Sequence, residues 1–307
     1  LERIAVLHLI HKENTGGVEK GVMNSRASIS LKFDYRVYSV LSLKDGDYSY
    51  SIARLFVDFF STRRKVIISS LWVSHIIGFF LSFFSATWVA FFHSAGFFGG
   101  LDKASKLLAV KHADYFFCDS DATAQFHDIR NFFQIPYIFD KRVDQEFEKE
   151  LDFLFVSRAD PVKRFGSFVD LIDEIEKRFG RVRVGLFSDK DFSFLLSRNH
   201  KEKVKDFLVQ IDADQSAIEA AMRTTKFFVS TSKKEGFGMA IAEAILCGAV
   251  PVVTQVGEPA KYLNESSAFF LDDHGRMDDN SFVDLAKAMY SHEILGAMND
   301  YGRLQLE

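Results

Sequence analysis

Short apolar runs alternate with helix-length stretches along this chain, and the alternation starts twice. The first series of strand candidates is IAVLHLI from Ile4, YRVYSVL from Tyr35, VIISS from Val66, TWVAFFH from Thr87 and DYFFCDS from Asp114. A glycine turn at Gly16-Gly17 leads into a helix expected from Val18 to Leu31, and PYIF from Pro136 is expected to close this first domain. The charged segment from Asp140 to Asp152 reads as a crossing between domains, after which the pattern restarts. DFLFVS, VRVGLFS, KFFVST and AVPVVT are its strands, with helices expected from Phe165 to Phe179, from Ala217 to Arg223 and from Met239 to Cys247. Strands and helices alternating in this way form parallel sheets covered by helices on both faces. At 307 residues the chain suits two domains of ~150 residues each. The expectation is therefore two doubly wound α/β domains, residues 1–148 and 149–307, binding ligands beyond the carboxyl ends of their strands.

Charge narrows the function. A formal net charge of −4 argues against a broad basic face, so no nucleic-acid partner is expected. The 34 phenylalanines are read as core volume. Cys118 and Cys247 each lie inside an apolar stretch, which suggests a reducing compartment and no disulfide framework. No leader-like segment precedes the strand residues that begin at Ile4, so a cytoplasmic location is expected. The charge-free run from Ile76 to Phe92 approaches the ~17-residue lower limit of a membrane span. The reading that continues the surrounding pattern is a buried helix from Trp72 to Phe84 followed by a strand from Thr87.

The most informative stretch runs from Lys226 to Thr254, KFFVSTSKKEGFGMAIAEAILCGAVPVVT. A strand ends at Thr231, the turn SKKEGFG follows, and a helix opens near Gly238 and is stopped by Gly248. Gly236 and Gly238 would let a ligand approach the backbone, and the new helix offers N–H groups: an anion site suited to a diphosphate. Glu243 is the sole ionisable carboxylate or cation from Gly236 through Thr254. A lone carboxylate on an apolar helix is costly to bury without hydrogen bonds. Ribose hydroxyls would supply them; the alternative is that Glu243 reaches solvent at the helix edge.

Glu235 and Glu243 stand within E-G-F-G-x-x-x-x-E-A-x-x-C-G-x-x-P-V-V. This resembles the signature of the retaining glycosyltransferases of family 4 (glycosyl transferases group 1), and the likeness runs from Ile4 to about Tyr290. The resemblance implies the GT-B fold, two Rossmann-like doubly wound parallel-sheet domains facing each other across a cleft. The N-terminal domain would be the acceptor side and the C-terminal domain would bind a nucleotide-sugar. It implies transfer of a sugar from a nucleoside diphosphate-sugar to a hydroxyl of a glycan or lipid-linked acceptor, with retention and no obligatory metal cofactor. A role in surface polysaccharide synthesis would follow.

Residue by residue, Arg158 and Lys163 in VSRADPVKRF match the basic pair that neutralises the donor diphosphate. Gly16, Gly17 and Glu19 in TGGVE match the glycine-rich first loop, and an ordinary turn is the alternative. His93, at the end of TWVAFF, stands where the family carries a histidine close to the sugar. Glu235 would position that sugar, Glu243 would hold the ribose, and Gly236, Phe237, Gly238 and Met239 would present N–H groups to the diphosphate. The chain departs from the family's pattern at FDKRVD between the domains and at Gly257-Glu258-Pro259-Ala260-Lys261 after PVVT.

Three other readings compete. Asp119-Ser120-Asp121 follows an apolar strand and could hold a divalent ion in a metal-dependent transferase, against the simpler expectation of a strand end capping the next helix. A non-catalytic glycosyltransferase-like adaptor and a sugar-nucleotide epimerase are the others. Arg63-Arg64-Lys65 and the set Lys103, Lys106, Lys111 near Phe97-Phe98 are candidate basic patches for peripheral membrane contact, with solvated helix faces as the alternative.

Overall fold

Every strand in both halves of the chain pairs parallel with its neighbours. The computed structural model describes residues 3–12, 17–97, 99–135 and 147–306, and the chain divides into two units, residues 1–140 and 141–307. PYIF and FDKRVD lie outside the described residues.

In the first unit the order is β1 (Ala5–Ile10), α1 (Gly17–Ser30), β2 (Asp34–Ser39), β3 (Tyr50–Ser51), α2 (Ile52–Ser61), β4 (Lys65–Ser70), α3 (Trp72–Ser82), β5 (Thr87–Phe92), α4 (Gly100–His112), β6 (Tyr115–Cys118), α5 (Asp121–Phe126) and β7 (Phe133–Gln134). Its sheet runs β3-β2-β1-β4-β5-β6-β7. The second unit continues with β8 (Leu151–Ser157), α6 (Phe165–Phe179), β9 (Val184–Ser188), α7 (Arg198–Val204), β10 (Leu208–Ile211), α8 (Gln215–Arg223), β11 (Thr225–Ser230) and α9 (Met239–Leu246). It ends with β12 (Val250–Thr254), α10 (Pro259–Tyr262), β13 (Phe269–Leu271), α11 (Asp279–Met289) and α12 (His292–Leu304), on a sheet ordered β10-β9-β8-β11-β12-β13. Strand order reverses between β1 and β4 and again between β8 and β11. Such switch points are where doubly wound sheets take their ligands.

Both faces of each sheet are buried, because helices cover both. On β1, Ala5, Leu7 and Leu9 join one core cluster while Val6 and Ile10 join another. On β8 and β11, Phe153, Phe155, Phe227 and Val229 face one cluster, and Leu154 and Phe228 the other. Helix starts are set by side chains that accept orphan backbone N–H groups: Ser51 for α2, Ser120 for α5, Asp214 for α8, Asp278 for α11 and Ser291 for α12. At the other end of α9, Gly248 follows at φ +91, a left-handed step that suits glycine. Asn299 of α12 donates to Ile245 O and Ala249 O at 2.9 and 3.1 Å, closing the end of α9.

Three expectations change. The helix α3 is not buried all round: its inward residues are Ser74, His75, Gly78 and Leu81, whereas Phe80, Phe83 and Phe84 at its end are exposed. The reason is Trp88, whose indole lies so close that a Cβ on Gly78 would meet its Nε1 at 2.5 Å. The inward stripe must be small, and the bulky rings go outward. With Phe56 and Phe60 of α2 also exposed, the phenylalanines are not core volume alone. The expected basic patches also lose members: Lys65 Nζ donates to Phe59 O (2.8 Å) and Thr62 O (3.2 Å). Lys106 is buried and paired with Asp102 at 3.1 Å. Among the described residues no helix is long and apolar enough to cross a membrane.

Asp119-Ser120-Asp121 takes the capping geometry. Ser120 Oγ accepts from Thr123 N at 3.1 Å and donates to the buried Asp119 at 3.0 Å.

Candidate functional site

At the carboxyl edge of the second sheet, the loops after β8 and β11 are fastened to each other. Thr231 Oγ1 lies 2.9 Å from Lys163 O and 3.0 Å from Arg164 O, and Lys233 N donates to Val162 O at 2.9 Å. Asp160 accepts from Val162 N at 2.9 Å and so starts the short 3-10 turn that carries Lys163. Arg164 follows in a left-handed conformation, φ 52, and its guanidinium donates to Thr231 O, Ser232 O and Asp273 O. Three strand ends, those of β8, β11 and β13, are thereby held by one side chain. Sequence reasoning passed over Arg164 because carbonyl partners leave no mark in a sequence.

Within this frame Lys163 Nζ meets Glu235 Oε1 at 2.6 Å, with both side chains largely buried. The EGFG turn that carries Glu235 rests on the loop after β12. Glu258 N donates to Gly236 O at 3.0 Å, and Tyr262 Oη donates to Phe237 O at 3.2 Å. Burial, with Glu235 and Glu258 nearby, holds the Tyr262 phenol far above its usual value, so it stays a neutral donor. Gly257 touches the turn directly: at φ +68, a Cβ there would stand 2.3 Å from Glu235 O. The departure at Gly257-Glu258-Pro259-Ala260-Lys261 therefore supplies the floor of the EGFG turn, with Glu258 buried and paired to Lys261 at 2.9 Å.

Gly238 is fixed by its surroundings. It adopts φ +81, and the space a Cβ would fill is taken by Pro259 (2.6 Å) and Tyr262 (3.2 Å). Its backbone conformation and its packing against α10 each call for glycine there. The helix α9 begins at the next residue, Met239, with no side-chain cap. Its Glu243 is half-buried and engaged in contacts, while Arg158 is exposed at the end of β8. An open pocket of about 530 Å³ lies at the same edge, lined by Arg164, Ser167, Lys233, Val256, Asp273 and His274.

The sequence model of the family described as Glycosyl transferases group 1 matches residues 138–300, just over half of the chain. The chain belongs to the group 1 glycosyltransferases. No curated protein matches it in sequence. Solved structures match it in fold: TarM, at 10% identity, with 99% of this chain and 95% of that one covered and a TM-score of 0.77. Another is Anabaena HepE in complex with UDP-glucose, at 14% identity, 99% and 94% coverage and a TM-score of 0.73. The pneumococcal O-GlcNAc transferase GtfA, in complex with UDP and GlcNAc, matches at 11% identity, 100% and 96% coverage and a TM-score of 0.73. These likenesses give this group 1 glycosyltransferase the GT-B fold, with its two Rossmann-like parallel-sheet domains.

For this glycosyltransferase, then, the second unit brings together Lys163, Glu235, Gly236, Phe237, Gly238 and Met239 on two adjoining loops, with Arg158 and Glu243 on the flanking elements. In the first unit His93 follows β5 directly, part-buried, and its Nε2 lies 3.0 Å from Ser70 Oγ. Burial, reinforced by His8, His75 and Lys106, keeps the His93 ring well below the ordinary imidazole value and therefore neutral near pH 7. Gly17 opens α1, Glu19 is buried in its first turn, and Gly16 lies outside the described residues.

Proposed function

We propose that this group 1 glycosyltransferase is a retaining hexosyltransferase, moving a sugar from a nucleoside diphosphate-sugar to a hydroxyl of a glycan or lipid-linked acceptor. The observation that carries the reading is the Lys163–Glu235 pair at 2.6 Å. A cation and a carboxylate side by side at the sheet's switch point support a site that takes a phosphate on the one and a sugar hydroxyl on the other. The bond from the anomeric carbon to the diphosphate oxygen breaks, and the acceptor oxygen bonds to that carbon on the same face. The hydroxyl proton leaves with the diphosphate. The leaving group's charge is stabilised by Arg158, Lys163 and the N–H groups from Gly236 to Met239, in the manner of an oxyanion hole and without an obligatory metal. Glu235 positions the donor sugar, Glu243 holds the ribose, and His93 contacts the sugar. Gly16 and Gly17 belong to the donor-binding residues.

The complexes of HepE with UDP-glucose and of GtfA with UDP and GlcNAc make uridine diphosphate the first nucleotide to try. Surface polysaccharide synthesis is the setting we favour, in the cytoplasm at the inner face of the membrane. Support for that location is the exposed set Phe56, Phe60, Phe80, Phe83 and Phe84, with the exposed Arg63 and Arg64 after α2. Aromatic rings beside cations suit an anionic lipid surface. The deciding experiment is turnover of UDP-glucose and UDP-GlcNAc, without added metal, read as UDP release and as the anomeric configuration of the product. Folded protein that releases no UDP from any sugar nucleotide, with or without acceptor extracts, would sink the reading.

A further inference from the structure

On one face of the first sheet, four polar side chains form an unbroken diagonal line across four adjacent strands, from Tyr35 near the amino end of β2 to Ser70 at the carboxyl end of β4 and His93 just past β5. Tyr35 of β2 lies 2.6 Å, Oη to Nδ1, from His8 of β1, and His8 Nε2 lies 2.8 Å from Ser70 Oγ of β4. Ser70 Oγ lies 3.0 Å from Nε2 of His93, just past β5. Tyr35, His8 and Ser70 are each buried, Ser70 completely. Their neighbours on the sheet are apolar, Val6, Ile10, Val37, Ile68 and Phe91, Ser25 and Arg26 of α1 stand by the Tyr35 hydroxyl, and the His93 ring lies against Phe91 at 3.8 Å between centroids. A polar row in such a setting costs free energy unless each member is satisfied by the next.

The row has only two self-consistent proton arrangements, because a neutral imidazole, a serine and a tyrosine each bring one proton along it. Burial drives the His8 pKa down to about 3, so His8 is the neutral form. A phenol is a stronger acid than a neutral imidazole N–H, and an imidazole nitrogen is a stronger base than a phenol oxygen. The 2.6 Å contact therefore has Tyr35 as donor to His8 Nδ1. His8 then donates from Nε2 to Ser70, and Ser70 donates to His93 Nε2. His93 is left with its proton on Nδ1.

We propose that Tyr35, His8 and Ser70 are positioning residues that orient the His93 ring and hold it as the Nδ1–H tautomer. The inference rests on the reading of His93 as a residue that contacts the donor sugar. Its consequence is that His93 meets the sugar as a hydrogen-bond donor from Nδ1, directed at a sugar oxygen, since the nitrogen facing Ser70 is the acceptor.

The test uses the full chain labelled with 15N-histidine. Long-range 1H–15N correlation of the wild type, assigned with His93→Gln, should show His93 Nε2 unprotonated and Nδ1 protonated. Nε2 protonated in the wild type would overturn the proposal whatever the variants do. Tyr35→Phe removes one hydroxyl and no carbon, so it frees the direction of the row. It should mix the His93 tautomers and lower kcat severalfold with the donor KM unchanged. Ser70→Ala should lower kcat by about tenfold, the scale of one lost hydrogen bond, while stabilisation by UDP is kept. If His93→Gln lowers kcat but Tyr35→Phe and Ser70→Ala, shown folded, leave both kcat and the His93 spectrum unaltered, the positioning role is wrong and the sugar contact stands. Should His93→Gln itself keep full kcat, the sugar-contact reading fails.

Discussion

Lys163 and Glu235 meet at 2.6 Å although 72 residues separate them in the chain. The contact exists because β8 and β11 are neighbours in the sheet, so the loop after one lies beside the loop after the other. Removing either partner leaves the other largely buried and alone, which is costly for a charge. Lys163→Ala and Glu235→Ala should each lower kcat/KM by ~10²–10³, the range for losing one transition-state stabilising group. The double variant should lose much less than the product of the two, because the residues act as a unit. Additive losses in a steady-state double-mutant cycle would mean the pair is not functional as a pair.

Gly257→Ala is expected to abolish nucleotide binding without touching a ligand-contacting side chain. Its new Cβ would drive into Glu235 O and Gly236 O, both backbone atoms, so the EGFG turn must move. Gly180→Ala is the control: φ there is also positive, +88, but nothing lies within 4 Å of the added carbon. That change should cost about 1 kcal/mol of strain and leave UDP-induced thermal stabilisation intact. Equal effects of the two substitutions on that stabilisation would contradict the packing argument.

Glu243→Ala should remove the thermal stabilisation given by UDP while leaving the melting temperature of the free protein within a few degrees. The carboxylate is half-buried on α9, and a lost ligand hydrogen bond to a charged group is worth ~1.5–3 kcal/mol. A panel of nucleoside diphosphates against wild type and variant checks this and names the preferred base. Unchanged stabilisation in the variant would leave Glu243 without its ribose role.

Stability of the first unit should fall as the pH drops below about 6.5. Burial pushes His8 and His75 down to about 3, and His93 and His127 are lowered by burial too. In the unfolded chain these groups take up protons near 6.5, and in the folded chain they do not. Their contribution is therefore complete above 6.5 and is lost progressively toward pH 3. At pH 5 the loss is about 2 kcal/mol for each of His8 and His75. Both tryptophans of the chain, Trp72 and Trp88, belong to this unit, so urea unfolding followed by tryptophan fluorescence at pH 7.5 and 5 reads it selectively. A midpoint that does not move between those values would show the histidines are accessible to protons.

Vesicles with an anionic lipid should bind the protein at low salt and release it as salt is raised. Replacing Arg63 and Arg64 by glutamate should cost about 1 kcal/mol per charge near the surface. Phe60→Ser with Phe84→Ser should weaken binding through lost burial, since these rings already touch each other at 5.7 Å between centroids. Co-sedimentation checks both, and binding unaffected by either pair would remove α2 and the end of α3 as the contact surface.

Much of the fold could be read in the chain itself. The strands from Ala5, Asp34, Lys65, Thr87, Tyr115, Leu151, Val184, Thr225 and Val250 stand where apolar runs announced them, because burial on both faces demands such runs. The short β10 from Leu208 and β13 from Phe269 did not stand out, being three or four residues at or near the sheet edges. α3 misled because hydrophobicity counts rings without saying which way they point. Ser74, His75 and Gly78 hold its inward face, and Gly78 is there for Trp88.

The candidate site divides the same way. Glu235, the EGFG turn and Glu243 are close in sequence, so the whole motif and its family resemblance brought them forward, and Arg158 and Lys163 followed from the same resemblance and their place after a strand. Arg164, Tyr262 and the row Tyr35–His8–Ser70 were silent, and Gly257 stood out only as a departure, for each acts through a partner on another strand or loop. Local order, element type and the motif-bearing loop are determined by the sequence, since they depend on residues a few positions apart. Which loops touch, which cations turn inward and which tautomer a histidine holds depend on strand order, and only the folded sheets decide that.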